Sequence, residues 1–211
     1  MNQKELILEV AERLEKNNSS PETELVHENP RELLIAVCLS AQTTDKKVNE
    51  VTEKLFKRYP TWESLADSDL TELQSIIRQV NFHKGKAVRL QKAAQVVLEN
   101  FNGEVPENME DLMKIPGVAR KSANVILNEA FNKAEGIVVD THVSRVTKRL
   151  GLTKNTDPKK IENDLIEILP QSYWRNFSGN VVLHGRYTCR AQKPSCPECK
   201  LNDICPSAFK V

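Results

Sequence analysis

The chain has 211 residues, of which 39% are hydrophobic, 28% are charged and 5% are aromatic. Its formal net charge of +1 does not by itself indicate a polyanion partner, so any basic surface has to arise from an uneven distribution of charge. No apolar run approaches membrane-spanning length, and acidic residues within the first 16 positions argue against a transit peptide. These features predict a cytoplasmic protein with one sizeable core or two modest ones.

Apolar residues recur at helical rather than alternating spacing along most of the chain, which predicts an all-α fold with short loops. An amphipathic helix is predicted at 1–16 and a polar break at 17–21. The nearly continuous apolar segment at 31–41 predicts a buried central helix, in which Cys38 packs as a small hydrophobe. Further helices are predicted at 46–58, 62–66, 69–80, 84–100 and 109–115.

Residues 112–123 read LMKIPGVARKSA, and Pro116 and Gly117 interrupt two helical stretches by only a few residues. The chain therefore has to make a sharp hairpin, after which a helix restarts near Arg120. Backbone N–H groups at a helix start lack partners within the helix and form a natural binding site for a phosphate. Lys121 lies in the first turn, where the helix dipole disfavours the ammonium form, so it is a candidate amine nucleophile. A phosphate-binding or solvated lysine is the simpler alternative.

A short, strand-like apolar run at Ile137–Val139 ends at Asp140, and a helical pattern begins directly after it. Asp140 is therefore predicted to be the N-cap of that helix. A carboxylate held by helix N–H groups also keeps its negative charge and could stabilise a developing cation. His142 could be a ligand or a base, but no second histidine stands at ligand spacing, and a structural hydrogen bond is favoured.

The C-terminal region contains four of the five cysteines, separated by six, two and five residues. Such a group predicts a soft-metal site, either zinc or an iron–sulfur cluster. Two disulfides are the less favoured alternative, because the sequence shows no signal peptide. One CxxC pair is present, whereas zinc ribbons usually combine two, so the spacing favours iron and sulfur without deciding between the metals. The candidate ligands are Cys189, Cys196, Cys199 and Cys205.

Four short segments carry the most distinctive residue combinations of the chain. They are SAQTTD at 40–45, IPGVARKSANV at 115–125, VVDTH at 138–142 and HGRYTC at 184–189. Taken together, with the cysteine group behind them, these segments resemble the endonuclease III family, whose members are DNA glycosylases of the helix-hairpin-helix superfamily. The resemblance extends over about residues 24–206, and the segments and cysteines follow the family's order and spacing.

The resemblance implies a 4Fe-4S cluster on the four cysteines and two helical domains that flank a cleft. A six-helix domain with the hairpin would comprise residues 22–134, and a discontinuous cluster domain would comprise residues 1–21 and 135–211. Lys121 corresponds to the family's catalytic lysine, and Asp140 corresponds to its catalytic aspartate. The implied partner is double-stranded DNA that contains damaged pyrimidines or abasic sites, and a monomer is the default expectation.

The implied enzyme is a bifunctional DNA glycosylase and AP lyase of base excision repair. It would extrude the damaged nucleotide, and Lys121 would attack the sugar C1′ and displace the base. The resulting Schiff base would permit β-elimination of the 3′ phosphate, while Asp140 stabilises the cationic sugar. One alternative is an adenine-specific or monofunctional relative, against which Lys121 and the chain end at Val211 argue. A non-catalytic, metal-stabilised DNA-binding module is the other.

Several further positions correspond to DNA contacts of the family. Gln42 would fill the gap that the extruded nucleotide leaves, and Phe82 is either an apolar wedge or a core residue. The loop between Cys189 and Cys196 would present basic residues to the phosphate backbone. The DNA-contact candidates are Gln42, Phe82, Gly117, Ala119, Arg120, His142, Arg190 and Lys193.

A basic run without an intervening acid follows the wedge position. It is either a solvated helix face, which is the commoner case, or part of the DNA-binding surface. The run consists of Lys84, Lys86, Arg89 and Lys92.

Two positions depart from the family pattern. Ala119 replaces the second glycine of the usual PGVG hairpin, so this residue has to avoid a positive φ or accept strain, and phosphate binding is expected to survive. Asn81 stands where a glycine is more usual before the wedge, and asparagine tolerates a left-handed conformation better than most residues. A shift in lesion preference is the expected consequence.

Overall fold

The computed structural model of the protein describes residues 2–16, 18, 21 and 23–210. The predicted polar break at 17–21 lies largely outside these residues, and the predicted domain boundary at 22 and the chain end at 211 lie wholly outside them. In the described ranges the regular structure is helical and contains no strand, which confirms the all-α prediction. The α-helices are α1 (Gln3–Glu15), α2 (Pro30–Ser40), α3 (Asp45–Arg58), α4 (Trp62–Ala66), α5 (Leu70–Ile76), α6 (His83–Phe101), α7 (Met109–Leu112), α8 (Arg120–Phe131), α9 (Thr141–Arg149), α10 (Pro158–Ile168) and α11 (Gln171–Tyr187).

Two predicted helices are shorter than the apolar pattern suggested. The prediction for α5 extended to Val80, but the chain leaves the helix at Ile77 and folds into a turn in which the Val80 N–H donates to the Ile77 carbonyl at 2.9 Å. The prediction for α7 extended to Ile115, but the helix ends at Leu112 in the turns that lead into the hairpin. In both places the buried apolar residues belong to tight turns, which periodicity cannot distinguish from a helix end.

The strand-like run at Ile137–Val139 is buried but is not a strand. Its backbone has no partner strand among the described residues, and the Val138 N–H instead donates to the Ser178 hydroxyl at 2.9 Å. A side chain of α11 therefore satisfies the backbone of this segment, and the strand-like apolar run is consistent with the all-α prediction.

The chain divides into two compact units, and Thr23–Asn132 forms the first, here called the hairpin unit. Its centre is α2, which begins after the N-cap Asn29 with proline at its first position, as a helix start favours. Leu33, Leu34 and Leu39 of α2 are fully buried, and the helix contacts α3, α6 and α8. The prediction of a buried central helix is therefore confirmed.

The second unit, here called the cysteine unit, combines Met1–Glu22 with Lys133–Val211. In it α1 packs against α10 and α11, and α9 packs against α11. The core of this unit includes the fully buried Ile7, Val143 and Leu165. Arg13 of α1 donates to the Lys200 carbonyl and to the Asp203 carboxylate, so the first helix is tied to the C-terminal segment. Across the described residues of both units, no helix is long and apolar enough to cross a bilayer.

The ion pair between Arg13 and Asp203 predicts a pH-dependent contribution to stability. The hydrogen bond from Arg13 lowers the pKa of Asp203 below its ordinary value, so the stabilisation is fully present above the unfolded-state pKa of about 3.9 and is lost as the pH falls through the folded-state pKa. We expect Asp203→Asn to lower the thermal midpoint slightly at neutral pH and progressively less under acidic conditions, as measured by thermal melts.

The Arg13→Met background provides the control for this prediction, because Asp203 then lacks its cation. In that background the effect of Asp203→Asn should be smaller and should depend less on pH, because only backbone N–H groups of Asp203 and Ile204 still act on the carboxylate. A difference between wild type and Asp203→Asn that stays constant down to acidic pH would show that the carboxylate contributes nothing through its charge.

Candidate functional site

The predicted hairpin lies between α7 and α8 in the hairpin unit. Two tight turns close it, in which the Ile115 N–H donates to the Leu112 carbonyl at 3.1 Å and the Val118 N–H donates to the Ile115 carbonyl at 3.0 Å. Gly117 has φ +96°, a conformation that residues with a Cβ rarely adopt. Ala119 has φ −94° and ψ 169°, so it avoids a positive φ, which was one of the two outcomes predicted for this substitution.

The start of α8 carries the candidate nucleophile. Ala119 is the N-cap and forms no side-chain cap hydrogen bond, so the first-turn N–H groups are not satisfied by their N-cap residue. Lys121 is the second residue of the helix, and it is exposed. An amine and a set of helix N–H donors therefore lie within one helical turn, at a position that solvent or a ligand can reach.

Gln42 and Phe82 occupy the exposed tips of two separate turns. Both adopt left-handed backbone conformations, with φ of 56° and 59° respectively, and the Phe82 side chain is 67% exposed. The alternative that Phe82 belongs to the core is therefore wrong, because a phenylalanine this exposed gains little from burial. An open hollow adjoins these tips and is lined by Ala41, Gln42, Phe82, His83, Lys84, Gly85, Lys86 and Arg89.

Asn81 connects the two turns. Its backbone N–H donates to the Thr43 hydroxyl at 3.2 Å, and its side-chain amide donates to the Gln42 carbonyl. The left-handed conformation that the glycine-like position suggested for Asn81 occurs instead at Phe82. The asparagine therefore contributes hydrogen bonds rather than an unusual backbone conformation.

The basic run in α6 does not form one face. Lys84, Arg89 and Lys92 are exposed, but Lys86 retains only 4% of its surface. Positions 84 and 86 are two apart in a helix and therefore point in different directions. Burial, together with the charge of Arg89, lowers the pKa of Lys86. Both interpretations of this run, as a solvated face and as a DNA-binding surface, are wrong for Lys86.

Asp140 in the cysteine unit is the N-cap of α9, as predicted. One carboxylate oxygen, Oδ1, accepts hydrogen bonds from the His142 and Val143 N–H groups, each at 2.8 Å. Nδ1 of His142 lies 3.2 Å from the Arg145 guanidinium, which favours the predicted structural role of this histidine. Arg145 also donates to the Gly185 carbonyl at 2.8 Å and to the Cys189 carbonyl at 3.2 Å.

The four predicted ligands line one hollow of the cysteine unit, together with mainly apolar residues such as Val146, Leu150 and Leu201. All of them are free thiols, so the two disulfides of the alternative prediction are not formed. Among the described residues, no group of three histidine, cysteine or acidic side chains is placed to hold a single metal ion. The donor set of the hollow is therefore sulfur in a largely apolar wall.

N–H donors are directed at two of the four sulfur atoms of this hollow. Arg149 of α9 donates to Cys189 Sγ at 3.3 Å, and the Leu201 N–H donates to Cys199 Sγ at 3.4 Å. Burial raises the pKa of Cys199 and of Cys205, and the neighbouring cysteines raise both further. Donors directed at sulfur stabilise negative charge there, so the site suits thiolates that are bound to a cation rather than isolated thiols.

The loop after Cys189 is held to α9 by Arg149, which donates to the Arg190 carbonyl at 2.8 Å and to the Ala191 carbonyl at 3.1 Å. Lys193 is exposed with φ 49°, and the Arg190 guanidinium folds back to the Lys193 carbonyl at 3.3 Å. Sequence patterns did not reveal the roles of Arg145 and Arg149. Their spacing of four on α9, one turn apart, was the available signal, because both then face the same neighbouring segment.

Comparison with known proteins places this architecture in a family. Residues 35–171 match the model of the HhH-GPD superfamily of base excision DNA repair proteins. A relative named endonuclease III from Synechocystis sp. is 50% identical over 184 residues, which are 87% of this chain and 84% of the relative. Another, from Haemophilus influenzae, is 43% identical over 204 residues, which are 97% of this chain and 96% of the relative.

Solved structures give the same result. A trapped endonuclease III–DNA covalent intermediate in an estranged-adenine complex is 41% identical, with a TM-score of 0.93 over 100% of this chain and 99% of that chain. A non-covalent endonuclease III–DNA complex has the same identity and TM-score and covers 100% of this chain and 98% of that chain. A thermostable thymine-DNA glycosylase shares the fold with a TM-score of 0.85 at 21% identity.

Fold, hairpin and family model together define a helix-hairpin-helix protein of the base excision repair superfamily. High identity over nearly the whole length narrows this class further. The chain belongs to the endonuclease III family, which confirms the resemblance seen in the four sequence segments.

The backbone of Gly117 gives a prediction for the hairpin. A Cβ added at Gly117 would lie 3.5 Å from Cys38 Sγ, an ordinary contact, so the cost of Gly117→Ala comes from φ +96°. We expect the free energy of unfolding to fall by about 1–2 kcal/mol, as measured by urea denaturation.

Gly85→Ala is the matched control. Gly85 lies in α6, and its added Cβ would come no closer than 3.7 Å to a side-chain atom of Arg89. This variant should not lower the free energy of unfolding, because Gly85 lies in the first turn of α6, where alanine is a better helix former than glycine. Equal effects of the two substitutions would contradict the conformational requirement at Gly117.

Proposed function

We propose that this chain removes oxidised pyrimidines from double-stranded DNA and cleaves the strand 3′ of the abasic site by β-elimination. The family assignment confirms the predicted enzyme class, a DNA glycosylase and AP lyase of base excision repair. The observation that carries the residue assignment is the exposed amine of Lys121 in the first turn of α8, directly behind the hairpin. Nucleophile and phosphate-binding backbone are thus parts of one short segment.

In this proposal Lys121 acts as a neutral amine. Its nitrogen attacks the sugar C1′ of the extruded nucleotide, and the glycosidic bond electrons leave with the base. Ring opening gives a Schiff base, which acidifies C2′. Loss of the C2′ proton then expels the 3′ phosphate, and the same lysine thereby nicks the strand. The extruded base costs a few kcal/mol to unstack, and least when it is damaged.

Asp140 is proposed to stabilise the positive charge that develops on the sugar as the glycosidic bond breaks. Its Oδ1 is fixed by two backbone N–H groups of α9, so the carboxylate is oriented by the helix start and needs no other side chain to hold it. A preoriented charge costs no reorganisation during the reaction. The same carboxylate is a candidate for proton transfer to or from the lysine.

We further propose that the two compact units correspond to the two domains of the family. The hairpin unit Thr23–Asn132, which contains the seven helices α2 to α8, then represents the domain at 22–134 that was predicted with six helices, and the cysteine unit represents the cluster domain. In this proposal the enzyme acts as a monomer. It contacts duplex DNA through the hairpin, the tips at Gln42 and Phe82, and the loop with Arg190 and Lys193. Such a protein would act in the cytoplasm, where bacterial DNA lies.

The four cysteines are proposed to hold a 4Fe-4S cluster. Four cysteine sulfur atoms line one apolar hollow, and N–H groups of Arg149 and Leu201 donate hydrogen bonds to two of them. This arrangement fits an iron–sulfur group. When bound, the cluster supplies iron–thiolate bonds that cross-link the C-terminal segment. Arg149 contributes a hydrogen bond to the sulfur and holds the Arg190 loop at the same time, so a loaded site would rigidify a basic loop that faces solvent.

The nucleophile is tested with Lys121→Ala. Borohydride reduction should trap wild-type protein on DNA that contains a damaged pyrimidine, whereas the variant should give no covalent adduct and lose strand nicking by at least about 1,000-fold. Lys54→Ala, which changes an exposed lysine of α3, is the control and should trap normally. Unchanged nicking by Lys121→Ala would overturn the assignment and favour a different nucleophile.

The cluster is tested by metal content. Purified wild-type protein should be brown and carry about four iron atoms per chain, and Cys199→Ser should lose iron, thermal stability and DNA affinity together. Cys38→Ser is the control, because Cys38 packs in the hairpin unit, where burial raises the pKa of its thiol to about 12, and this variant should keep its iron. A colourless protein with one zinc ion would contradict the proposal.

A further inference from the structure

A buried cation caps the C-terminal end of α2. The last carbonyl groups of a helix have no partner within it and require donors from elsewhere. Lys86 Nζ of α6 lies 2.7 Å from the Leu39 carbonyl oxygen and 2.6 Å from the Ala41 carbonyl oxygen. The lysine is only 4% exposed, so it serves this helix end rather than the protein surface.

The hydrogen-bonding capacity of Lys86 is completely used. An ammonium group has three N–H donors, and the third is directed at the Thr43 hydroxyl at 3.3 Å. Within the described part of the chain, Lys86 forms no salt bridge with a carboxylate. Its charge is therefore balanced by carbonyl dipoles at the negative end of α2, a location where helices favour cations.

The hydrogen bonds of Lys86 extend through Thr43 to the turn that carries Phe82. Thr43 Oγ1 accepts hydrogen bonds from the Lys86 ammonium and from the Asn81 backbone N–H. The Asn81 side-chain amide donates to the carbonyl of Gln42. Gln42 and Phe82, the two exposed left-handed residues, are thereby attached to one set of hydrogen bonds. The base of the network is buried and its two tips are exposed, which is the arrangement expected for side chains that are held ready for a ligand.

We propose that Lys86 is a positioning residue, which fixes the Gln42 turn and couples it to the Phe82 turn, so that both tips enter damaged DNA as one preformed unit. This inference rests on the proposed function, because the tips need a lesion duplex to act on. Lys86 itself does not contact DNA in this view. Its contribution is that Gln42 has to lose less conformational freedom when the gap in the duplex is filled.

A double-mutant cycle tests the coupling. Lys86→Met removes all three donors with little change in volume and should slow single-turnover removal of an oxidised pyrimidine from a duplex by about tenfold or more. In a Gln42→Ala background, the same substitution should slow the reaction by less than about threefold, because the side chain that Lys86 positions is already absent. Losses that multiply fully in the two backgrounds would overturn the inference.

Two further measurements distinguish a positioning role of Lys86 from a general loss of protein structure in the variant. Hydrogen exchange at residues 39–44 should accelerate in Lys86→Met and remain unchanged in Lys54→Met, which alters an exposed lysine of the same unit. Nicking of a preformed abasic site in single-stranded DNA needs no gap filling, so Lys86→Met should retain it within about threefold. Unaltered hydrogen exchange, or an equal loss of nicking on single-stranded DNA, would contradict the positioning role.

Thr43→Val serves where Lys86→Met does not fold, because it removes the hydroxyl that links the two turns and keeps the lysine. It should show the same dependence on Gln42, and independence from Gln42 would overturn the coupling. Failure of the proposed function can be distinguished from failure of the positioning role of Lys86. Wild-type protein that neither removes the base nor nicks either substrate would overturn that function, whereas an active wild type with an additive cycle would overturn this inference alone.

Discussion

The need to satisfy the C-terminal carbonyls of a buried helix is the constraint on which the hairpin unit depends. α2 is enclosed by apolar side chains, so the Leu39 carbonyl cannot turn to water and has to meet a donor inside the protein. Lys86 provides that donor at the cost of burying a cation. The chain then leaves the helix in a turn whose shape follows from these hydrogen bonds. Gln42 is exposed at its tip as a consequence, and Phe82 is brought into the same network through Asn81.

Features that depend on neighbouring residues could be predicted from the sequence. The cap of α9 at Asp140 and the hairpin at Pro116 and Gly117 are determined by interactions over two to four positions, which a linear pattern records directly. The cysteine group was equally visible, because its ligand types and spacing lie within one short stretch. Such local signals are sufficient to identify candidate site residues without tertiary contacts.

Features that depend on distant residues could not be predicted in this way. Lys86 is separated by 47 positions from the Leu39 carbonyl, and Arg149 by 40 positions from the cysteine to which it donates. In the sequence, Lys86 belongs to the same basic run as the exposed Lys84, and the run itself does not show which lysine meets the end of α2. Phe82 was ambiguous for the same reason, because a phenylalanine beside a helix start is a core residue or an exposed tip according to what the fold places next to it.

The two helix starts that carry the candidate chemistry are built in opposite ways. Ala119 begins α8 and has no side-chain acceptor, so the N-cap residue itself offers no partner to the first-turn N–H groups. Asp140 begins α9 and accepts two of its N–H groups, so this helix start is satisfied internally and carries a negative charge of its own. In the proposed function, a phosphate is bound at the first start and a developing cation is stabilised at the second. Excision of a base from DNA requires both, because the backbone is anionic throughout while the sugar becomes cationic only as the glycosidic bond breaks.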